Sequence, residues 1–238
     1  MQLKKKYFLL KYNIKFMTSF YTSFVFLLSS FFFISCEKSN ENNSKTSLKK
    51  NTINAKLLTG FKAQYTDGDV NSIIEIPAGT HEKWEVNKST GKLELEILDN
   101  SPRTTNYLAY PANYGMIPRT LLSKKNGGDG DPLDIVVLGP SKKRGSVVKV
   151  KLIGVLYLMD RGETDDKLIG VSVNSPFYKF NSLKKLEEKH PGISDILKLW
   201  FTNYKGPGKI SSKGYGNKKQ ALKLLKNAMN DYEKELKK

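Results

Sequence analysis

The segment at residues 127–134, with the sequence GGDGDPLD, constrains this chain more than any other. Three carboxylates, those of Asp129, Asp131 and Asp134, fall within six residues, and carboxylates this close repel one another unless a cation lies among them. The apolar run that follows predicts a buried strand. By itself such a segment is also typical of a solvated acidic turn. Pro132 stiffens the turn, and Asp134 stands at the mouth of the predicted strand, which favours a functional role.

The chain is strongly basic. It has 238 residues and a formal charge of +17, and its length suits one domain with extensions. The first 35 residues contain five lysines and no acidic residue, so the remainder still carries +12. A basic surface attracts anions of any kind, including nucleic acid, lipid headgroups and small phosphates.

The N-terminus has the order of a secretory signal at residues 1–35: lysines, then an uncharged apolar run, then small residues. A signal-anchor helix over residues 17–34 is the alternative, because that stretch is nearly long enough to span a bilayer. The sequence FISC at residues 33–36 resembles a bacterial lipobox, with Phe33 where leucine is usual. This resemblance implies that Cys36 is lipidated.

We therefore expect an exported lipoprotein, anchored to the membrane of a bacterial envelope on its periplasmic side or at the cell surface. If the leader is not functional, the expected location is the cytoplasm. Cys36 is the only cysteine, so no intramolecular disulfide can form. Residues 36–58 are rich in Ser, Asn and Lys and predict a flexible polar tether, which leaves residues 59–238 as the folded domain.

The first part of this domain predicts β-structure. Apolar alternation and β-branched residues, separated by turn signals, predict strands at residues 71–76, 83–86, 92–98, 133–138, 147–159 and 168–173. The long segment is either one bent strand or two strands joined near Gly154. In the third strand we expect Leu93, Leu95 and Ile97 to face inward. Short strands at this spacing indicate a small closed barrel.

Helical patterns follow the strands. Residues 183–189 have the look of a capped helical turn, and two main helices are predicted over residues 193–204 and 218–236. The first carries apolar residues at helical spacing, namely Ile193, Ile196, Leu197, Trp200 and Phe201. The second repeats Leu222, Leu225, Met229, Tyr232 and Leu236. The predicted class is α+β, mainly β.

The remaining acids indicate the chemistry. A second acidic segment, residues 160–167, follows a predicted strand, and Glu75 lies within the first strand, where it could also be a solvent-facing residue. Oxygen ligands select hard divalent cations such as Mg²⁺. The domain has only His81 and His190, so a zinc site is not expected. Carboxylate-bound Mg²⁺ among Lys, Arg and Tyr side chains is an environment for phosphate transfer.

In order and spacing these segments resemble the soluble, Mg²⁺-dependent inorganic pyrophosphatases of family I. The motif D-x-D-P-x-D at residues 129–134 is fairly specific, and IEIPA at 74–78, KWE at 83–85 and YPANYG at 110–115 agree with it. The resemblance covers roughly residues 70–236. It implies a five-stranded barrel of OB type, flanked by two main helices, and hydrolysis of pyrophosphate to two orthophosphates by a Mg²⁺-activated water.

The resemblance also implies roles for individual residues. Asp131 would orient or deprotonate the nucleophilic water, and Tyr114 would support catalysis. The implied metal ligands, some of them acting through water, are Glu75, Glu85, Asp129, Asp131, Asp134, Asp160 and Asp165. The implied phosphate-binding residues are Lys83, Arg103, Lys167, Tyr204 and Lys205. Bacterial relatives further imply a homo-oligomer.

Two alternatives remain open at this point. One is a catalytically inactive relative, and the other is a non-enzymatic OB-like module that binds nucleic acid or another polyanion. The basic charge and the aromatic residues favour the second alternative, whereas a nucleic-acid groove has no need for five or more acids near its centre. We therefore expect no nucleic-acid partner. Members of the family are typically cytosolic, so the leader is a departure from it, and so is the basic charge.

Overall fold

The structure, a computed structural model, describes residues 57–237. The predicted signal peptide, Cys36 and nearly all of the predicted tether lie outside the described residues. Leu57, the first of them, is buried, and its N–H donates to the carbonyl of Gly91 at 3.0 Å. No helix in this part of the chain is both long enough and apolar enough to cross a membrane.

The described residues form short strands followed by helices. The strands are β1 (Val70–Ile76), β2 (Trp84–Val86), β3 (Leu93–Leu95), β4 (Ile97–Leu98), β5 (Ser101–Pro102), β6 (Asn113–Met116), β7 (Asp134–Leu138), β8 (Val147–Asp160), β9 (Glu163–Thr164), β10 (Lys167–Ser172) and β11 (Ile210–Asn217). The helices are α1 (Leu183–Lys189), α2 (Ile193–Asn203) and α3 (Lys218–Glu235), with 3₁₀ turns at Lys124–Asn126 and Pro176–Lys179.

Five strands close into a ring. The order is β1-β6-β7-β10-β8, and β8 returns to pair with β1. Only the β7–β10 pairing in this ring is parallel. Strands β9 and β11 extend the sheet from the far end of β8, and β2–β3 and β4–β5 form two small hairpins. The predicted α+β class with a five-stranded, OB-like barrel is confirmed.

Strand β8 is one continuous strand rather than two. Its first residues pair with β1, its middle with β10 and its last residues with β11. Opposite β10 the register slips, because Gly154 pairs with Ile169 while Leu152 pairs with Gly170, so Ile153 is a bulge residue. A bulge bends the strand that carries it, and one long strand can therefore follow the closed sheet.

Glycine is required where β6 crosses β1. A Cβ atom on Gly115 would lie 1.8 Å from the carbonyl oxygen of Ile73. Any larger residue would force the two strands apart. The strand pair that carries Tyr114 and Glu75 into the same region therefore depends on this one glycine.

Helices α2 and α3 pack against the barrel through two separate apolar clusters. Leu197, Trp200 and Phe201 of α2 pack in one cluster with barrel residues, and Ala221, Leu225 and Ala228 of α3 pack in another. The expected inward position of Ile97 is wrong, because its side chain is 59% exposed, and two residues of the apolar helical patterns, Ile196 and Leu236, are also exposed, at 58% and 64%. Ile97 belongs to a hairpin outside the barrel sheet, Ile196 faces away on α2, and Leu236 follows the last residue of α3.

Candidate active site

One cavity of about 180 Å³ gathers the acidic segments of the sequence. Its lining includes seven carboxylates and five cationic side chains. All thirteen site residues predicted within the domain line it: Glu75, Lys83, Glu85, Arg103, Tyr114, Asp129, Asp131, Asp134, Asp160, Asp165, Lys167, Tyr204 and Lys205. Their individual roles remain predictions. Four further residues of the lining, Val86, Lys88, Met116 and Pro132, were not predicted from the sequence.

Local hydrogen bonds shape the loop that carries the acidic motif. Gly130 has a φ of +86°, a left-handed conformation that glycine adopts without a steric penalty. The Asp129 carboxylate accepts from the N–H of Asp131 at 2.8 Å, and Leu122 exchanges backbone bonds of 2.8 Å with Gly130 and Asp131. The loop is therefore fixed against the preceding segment, and its carboxylates are held at the cavity.

A buried lysine joins the two acidic segments. Asp134 and Lys167 are the first residues of β7 and β10, which are parallel neighbours, so they start at the same end. The Lys167 ammonium is 3% exposed, contacts the Asp134 carboxylate and donates to Asp165 Oδ1 at 2.5 Å. Burial alone would lower the pKa of Lys167, but the two carboxylates raise it above its ordinary value. Lys167 therefore stays charged.

A second lysine holds the end of β8. Lys205 Nζ donates to Asp160 Oδ2 at 2.6 Å, while Asp160 Oδ1 is buried and has no hydrogen-bond partner. The neighbouring Tyr204 ring stacks on Trp200, with ring centroids 4.7 Å apart and an angle of 8° between the planes. The C-terminal end of α2 thus brings Tyr204 and Lys205 to the cavity from the core.

Glu75 enters the cavity through a bulge. Ile74 and Ile76 pair with Gly115 and Tyr114, so Glu75 between them has no partner in the ladder. A bulge re-aims a side chain, and the Glu75 carboxylate accepts from the N–H of Val86 at 2.8 Å. Burial raises the pKa of Glu75 to about 8, and the nearby Asp134 carboxylate adds to the rise while the Lys83 ammonium opposes it. The alternative of a solvent-facing Glu75 is wrong.

Lys83 and Arg103, two of the predicted phosphate ligands, also line the cavity. Lys83 Nζ forms an ion pair of 2.5 Å with Glu85 Oε1 and lies 5.6 Å from the centre of the Tyr114 ring. Burial raises the pKa of Tyr114 well above its ordinary value, so its hydroxyl keeps its proton. Arg103 Nη1 donates to Glu96 Oε1 at 2.5 Å. The cavity thus combines cations and a neutral phenol with the carboxylates.

These donors suit a hard divalent cation. They are oxygens, carboxylates outnumber cations in the lining, and the buried Asp160 Oδ1 lacks a partner. Residues 57–237 contain no preassembled group of three or more His, Cys, Asp or Glu ligands. Lysines stand beside several of the candidate ligands instead, since Lys167 contacts Asp134 and Asp165 and Lys205 contacts Asp160. The carboxylates beside these lysines would hold a divalent cation, and their donor chemistry fits one.

A closed barrel whose cavity combines carboxylates with Lys, Arg and Tyr side chains defines a class of protein, the metal-dependent enzymes that act on phosphates. The comparison with known families narrows that class. The model of the inorganic pyrophosphatase family matches residues 72–233. The chain therefore belongs to the inorganic pyrophosphatase family.

Individual relatives agree with this assignment. The chain is 34% identical over 165 residues to the inorganic pyrophosphatase of Helicobacter pylori, an alignment that spans 68% of this chain and 90% of that protein. A type I inorganic pyrophosphatase structure from P falciparum gives a TM-score of 0.69 at 28% identity, over 74% of this chain. The match spans only 62% of that longer chain.

A third relative has been solved with a ligand. The truncated vacuolar soluble pyrophosphatase of Trypanosoma cruzi, solved in complex with PPi, gives a TM-score of 0.69 at 27% identity. This match covers 75% of this chain and 74% of that one. It supports the same fold over that share of the chain.

Proposed function

We propose that this protein hydrolyses inorganic pyrophosphate to two orthophosphates and that Mg²⁺ is its metal. The observation that carries the proposal is the single cavity lined by seven carboxylates and five cations. Because carboxylates outnumber cationic side chains in this lining, the cavity repels a polyanion that comes without cations. A polyanion bound together with divalent cations suits the same lining. Membership of the inorganic pyrophosphatase family supports pyrophosphate as the substrate.

Carboxylates from the two acidic segments would hold the cation. Asp129, Asp134, Asp160 and Asp165 would bind it directly, and Glu75 and Glu85 would act through water. When bound, Mg²⁺ lowers the pKa of a coordinated water and offsets charge on the phosphate oxygens. Lys167 would keep its contacts with Asp134 and Asp165 and would offer its ammonium group to a substrate oxygen as well.

The remaining side chains would act on water and substrate. Asp131 would accept the proton of the attacking water, since it lies at the cavity on the fixed acidic loop. Lys83, Arg103, Tyr204 and Lys205 would bind phosphate oxygens and offset the charge that develops on them. Tyr114 would donate from its neutral hydroxyl.

Phosphate release tests this proposal. The full-length chain, purified in mild detergent, should release orthophosphate from pyrophosphate in the presence of Mg²⁺ and lose this activity in EDTA. Lys143→Met, a change of an exposed lysine outside the cavity lining, serves as the matched control and should keep the activity. Salt-sensitive binding of single-stranded nucleic acid without phosphate release would instead support the polyanion-binding module.

We also propose that the protein is exported and anchored by a lipid on Cys36, with residues 36–58 as the tether between the anchor and the domain. The leader and the FISC sequence support this proposal. Palmitate labelling of cells should mark the wild-type chain and not Cys36→Ser. Equal labelling of both chains, or recovery of the wild-type chain only in the cytoplasmic fraction, contradicts the anchor.

Self-association is a separate proposal. Ile196 and Leu199 lie three residues apart on α2 and are 58% and 62% exposed, and exposed Leu108 is tied to the same helix by its carbonyl, which accepts from Trp200 Nε1 at 2.9 Å. Exposed apolar residues grouped in this way are typical of a contact surface. Light scattering should give a molar mass that is a multiple of the mass of one chain, and Leu199→Lys should lower the measured mass.

A further inference from the structure

Lys88 is a lysine of the cavity that no motif pointed to. It lies in the turn between β2 and β3, and its ammonium contacts Asp131 Oδ1 and approaches the carbonyl oxygen of Gly130 to 3.4 Å. Gly130 lies 42 residues away along the chain, and Asp131 is the residue after it. Lys88 is thus the side chain by which this hairpin turn touches the acidic loop next to the residue proposed as the base.

The turn that carries Lys88 is held in shape by its own hydrogen bonds. Asn87 Oδ1 accepts from the N–H groups of Ser89 and Thr90 at 2.9 and 3.1 Å, and the N–H of Gly91 donates to the Asn87 carbonyl at 2.8 Å. An asparagine that caps its own turn fixes the backbone there. The backbone that carries Lys88 is therefore fixed in shape, and its exposed side chain extends from this turn to the acidic loop.

The contact between Lys88 and Asp131 is ionic and easily exchanged. Asp131 Oδ1 is buried beneath the ammonium but has no hydrogen-bond partner with acceptable geometry. The Lys88 and Asp131 side chains are 60% and 47% exposed, so solvent screens their attraction. Lys167, which is 3% exposed, holds its carboxylates much more firmly.

We propose that Lys88 is a positioning residue that neutralises Asp131 in the metal-free enzyme and leaves it when the cavity fills, so that Lys88 competes with the divalent cation. The inference rests on the proposed function, because the cation in question is Mg²⁺. A cation that needs Asp131 free binds more weakly by the free energy required to break the Lys88–Asp131 pair. Removal of the Lys88 charge therefore tightens Mg²⁺ binding.

Calorimetric titration of the full-length chain with Mg²⁺, without substrate, tests this inference. Lys88→Met should bind Mg²⁺ about two- to five-fold more tightly than the wild type, the range expected for an exposed ion pair. Lys88→Arg keeps the charge and should bind like the wild type. Lys92→Met is the matched control, since Lys92 is exposed on the same hairpin but does not line the cavity, and it should leave the affinity unchanged.

Three results would overturn the competition. Unchanged affinity in Lys88→Met would show that the pair does not oppose the cation. Weaker affinity would show that Lys88 helps to assemble the loaded site instead. Equal tightening in Lys92→Met would show a general effect of net charge and no role for the contact.

The same samples separate this inference from the proposed function. Pyrophosphate hydrolysis by the wild type, together with unchanged Mg²⁺ affinity in Lys88→Met, overturns the inference alone. A wild-type chain that binds no Mg²⁺ in the titration and releases no phosphate overturns both. Because Lys88 is exposed, both variants should fold like the wild type, and the thermal unfolding temperature of metal-free Lys88→Met and Lys88→Arg checks this directly.

Discussion

Two lysines contact carboxylates in the same cavity, but one lysine is buried and the other is exposed to solvent. Lys167 is 3% exposed between Asp134 and Asp165, whereas Lys88 is 60% exposed on Asp131. Attraction between charges grows as water is excluded, and so does the cost of leaving one of them unpaired. The comparison indicates that the Lys167 ion pairs stabilise the fold, whereas the Lys88 ammonium can leave Asp131 at little cost in stability.

The largest expected effect concerns activity at the exposed pair. Asp131→Asn should lower the turnover of pyrophosphate by about a thousand-fold or more, the scale for loss of a general base that also contacts the metal. The stability of the metal-free protein should change by less than about 1 kcal/mol, because the lost ion pair is exposed. Phosphate release and urea unfolding measure the two quantities.

Either measurement can contradict this expectation. Turnover like that of the wild type would exclude Asp131 as the base. A large loss of stability would show that the exposed pair supports the fold after all, and the contrast with Lys167 would disappear.

The next effect concerns stability at the buried pair. Lys167→Met leaves Asp134 and Asp165 close together without their shared cation, and breaking a buried pair of this kind costs about 3–5 kcal/mol. Lys88→Met, the matched change at the exposed pair, should cost less than about 1 kcal/mol. Urea unfolding in EDTA measures both, and equal losses would refute the distinction between the two lysines.

The sequence predicted a small closed barrel and the acidic segments because their signals are local, and the family resemblance added the number of strands and the site residues. The motif at residues 129–134, the strand beginning at Asp134 and the second acidic segment each follow from neighbouring residues. Once the barrel closes, parallel β7 and β10 bring Asp134 and Lys167 to the same end. The thirteen residues that the family resemblance implied all line this one cavity.

The features that the sequence did not predict depend on partners far along the chain. In the sequence Lys88 has the pattern of a solvated lysine in a turn, and only its contact with Gly130, 42 residues further along the chain, distinguishes it. The burial of Glu75 depends on a bulge, which needs the register of β6 to be known. Strand β11 was missed because the sequence ISSKGYGN lacks apolar alternation and becomes a strand only beside the end of β8.

A third way of holding a carboxylate, without a lysine, occurs away from the cavity. Glu187 on α1 accepts from the N–H of Gly192 at 2.5 Å and from the N–H and hydroxyl of Ser194 at 3.0 and 2.7 Å. Gly192 is the N-cap of α2 and has no side chain to cap it, so Glu187 takes that role. The same helix ends next to Tyr204, so this cap supports an element of the site.

The smallest effect is expected here. The hydrogen bond from Ser194 is the main cause that holds the pKa of Glu187 below its ordinary value of 4.5. A lowered pKa in the folded protein means that the ionised carboxylate stabilises the fold above about pH 4.5 and that this contribution disappears as the pH falls. Glu187→Gln should therefore cost about 1 kcal/mol at pH 7, the usual value of a helix cap, and much less at pH 3.5.

Glu188→Gln is the matched control for this change, since Glu188 is the exposed neighbour on the same helix and does not cap α2. It should alter the stability by less than about 0.5 kcal/mol at either pH. Urea unfolding of the three proteins at pH 7 and pH 3.5 gives the four differences from the wild type. If Glu187→Gln lowers the free energy of unfolding equally at both pH values, the negative charge of Glu187 does not contribute to capping α2.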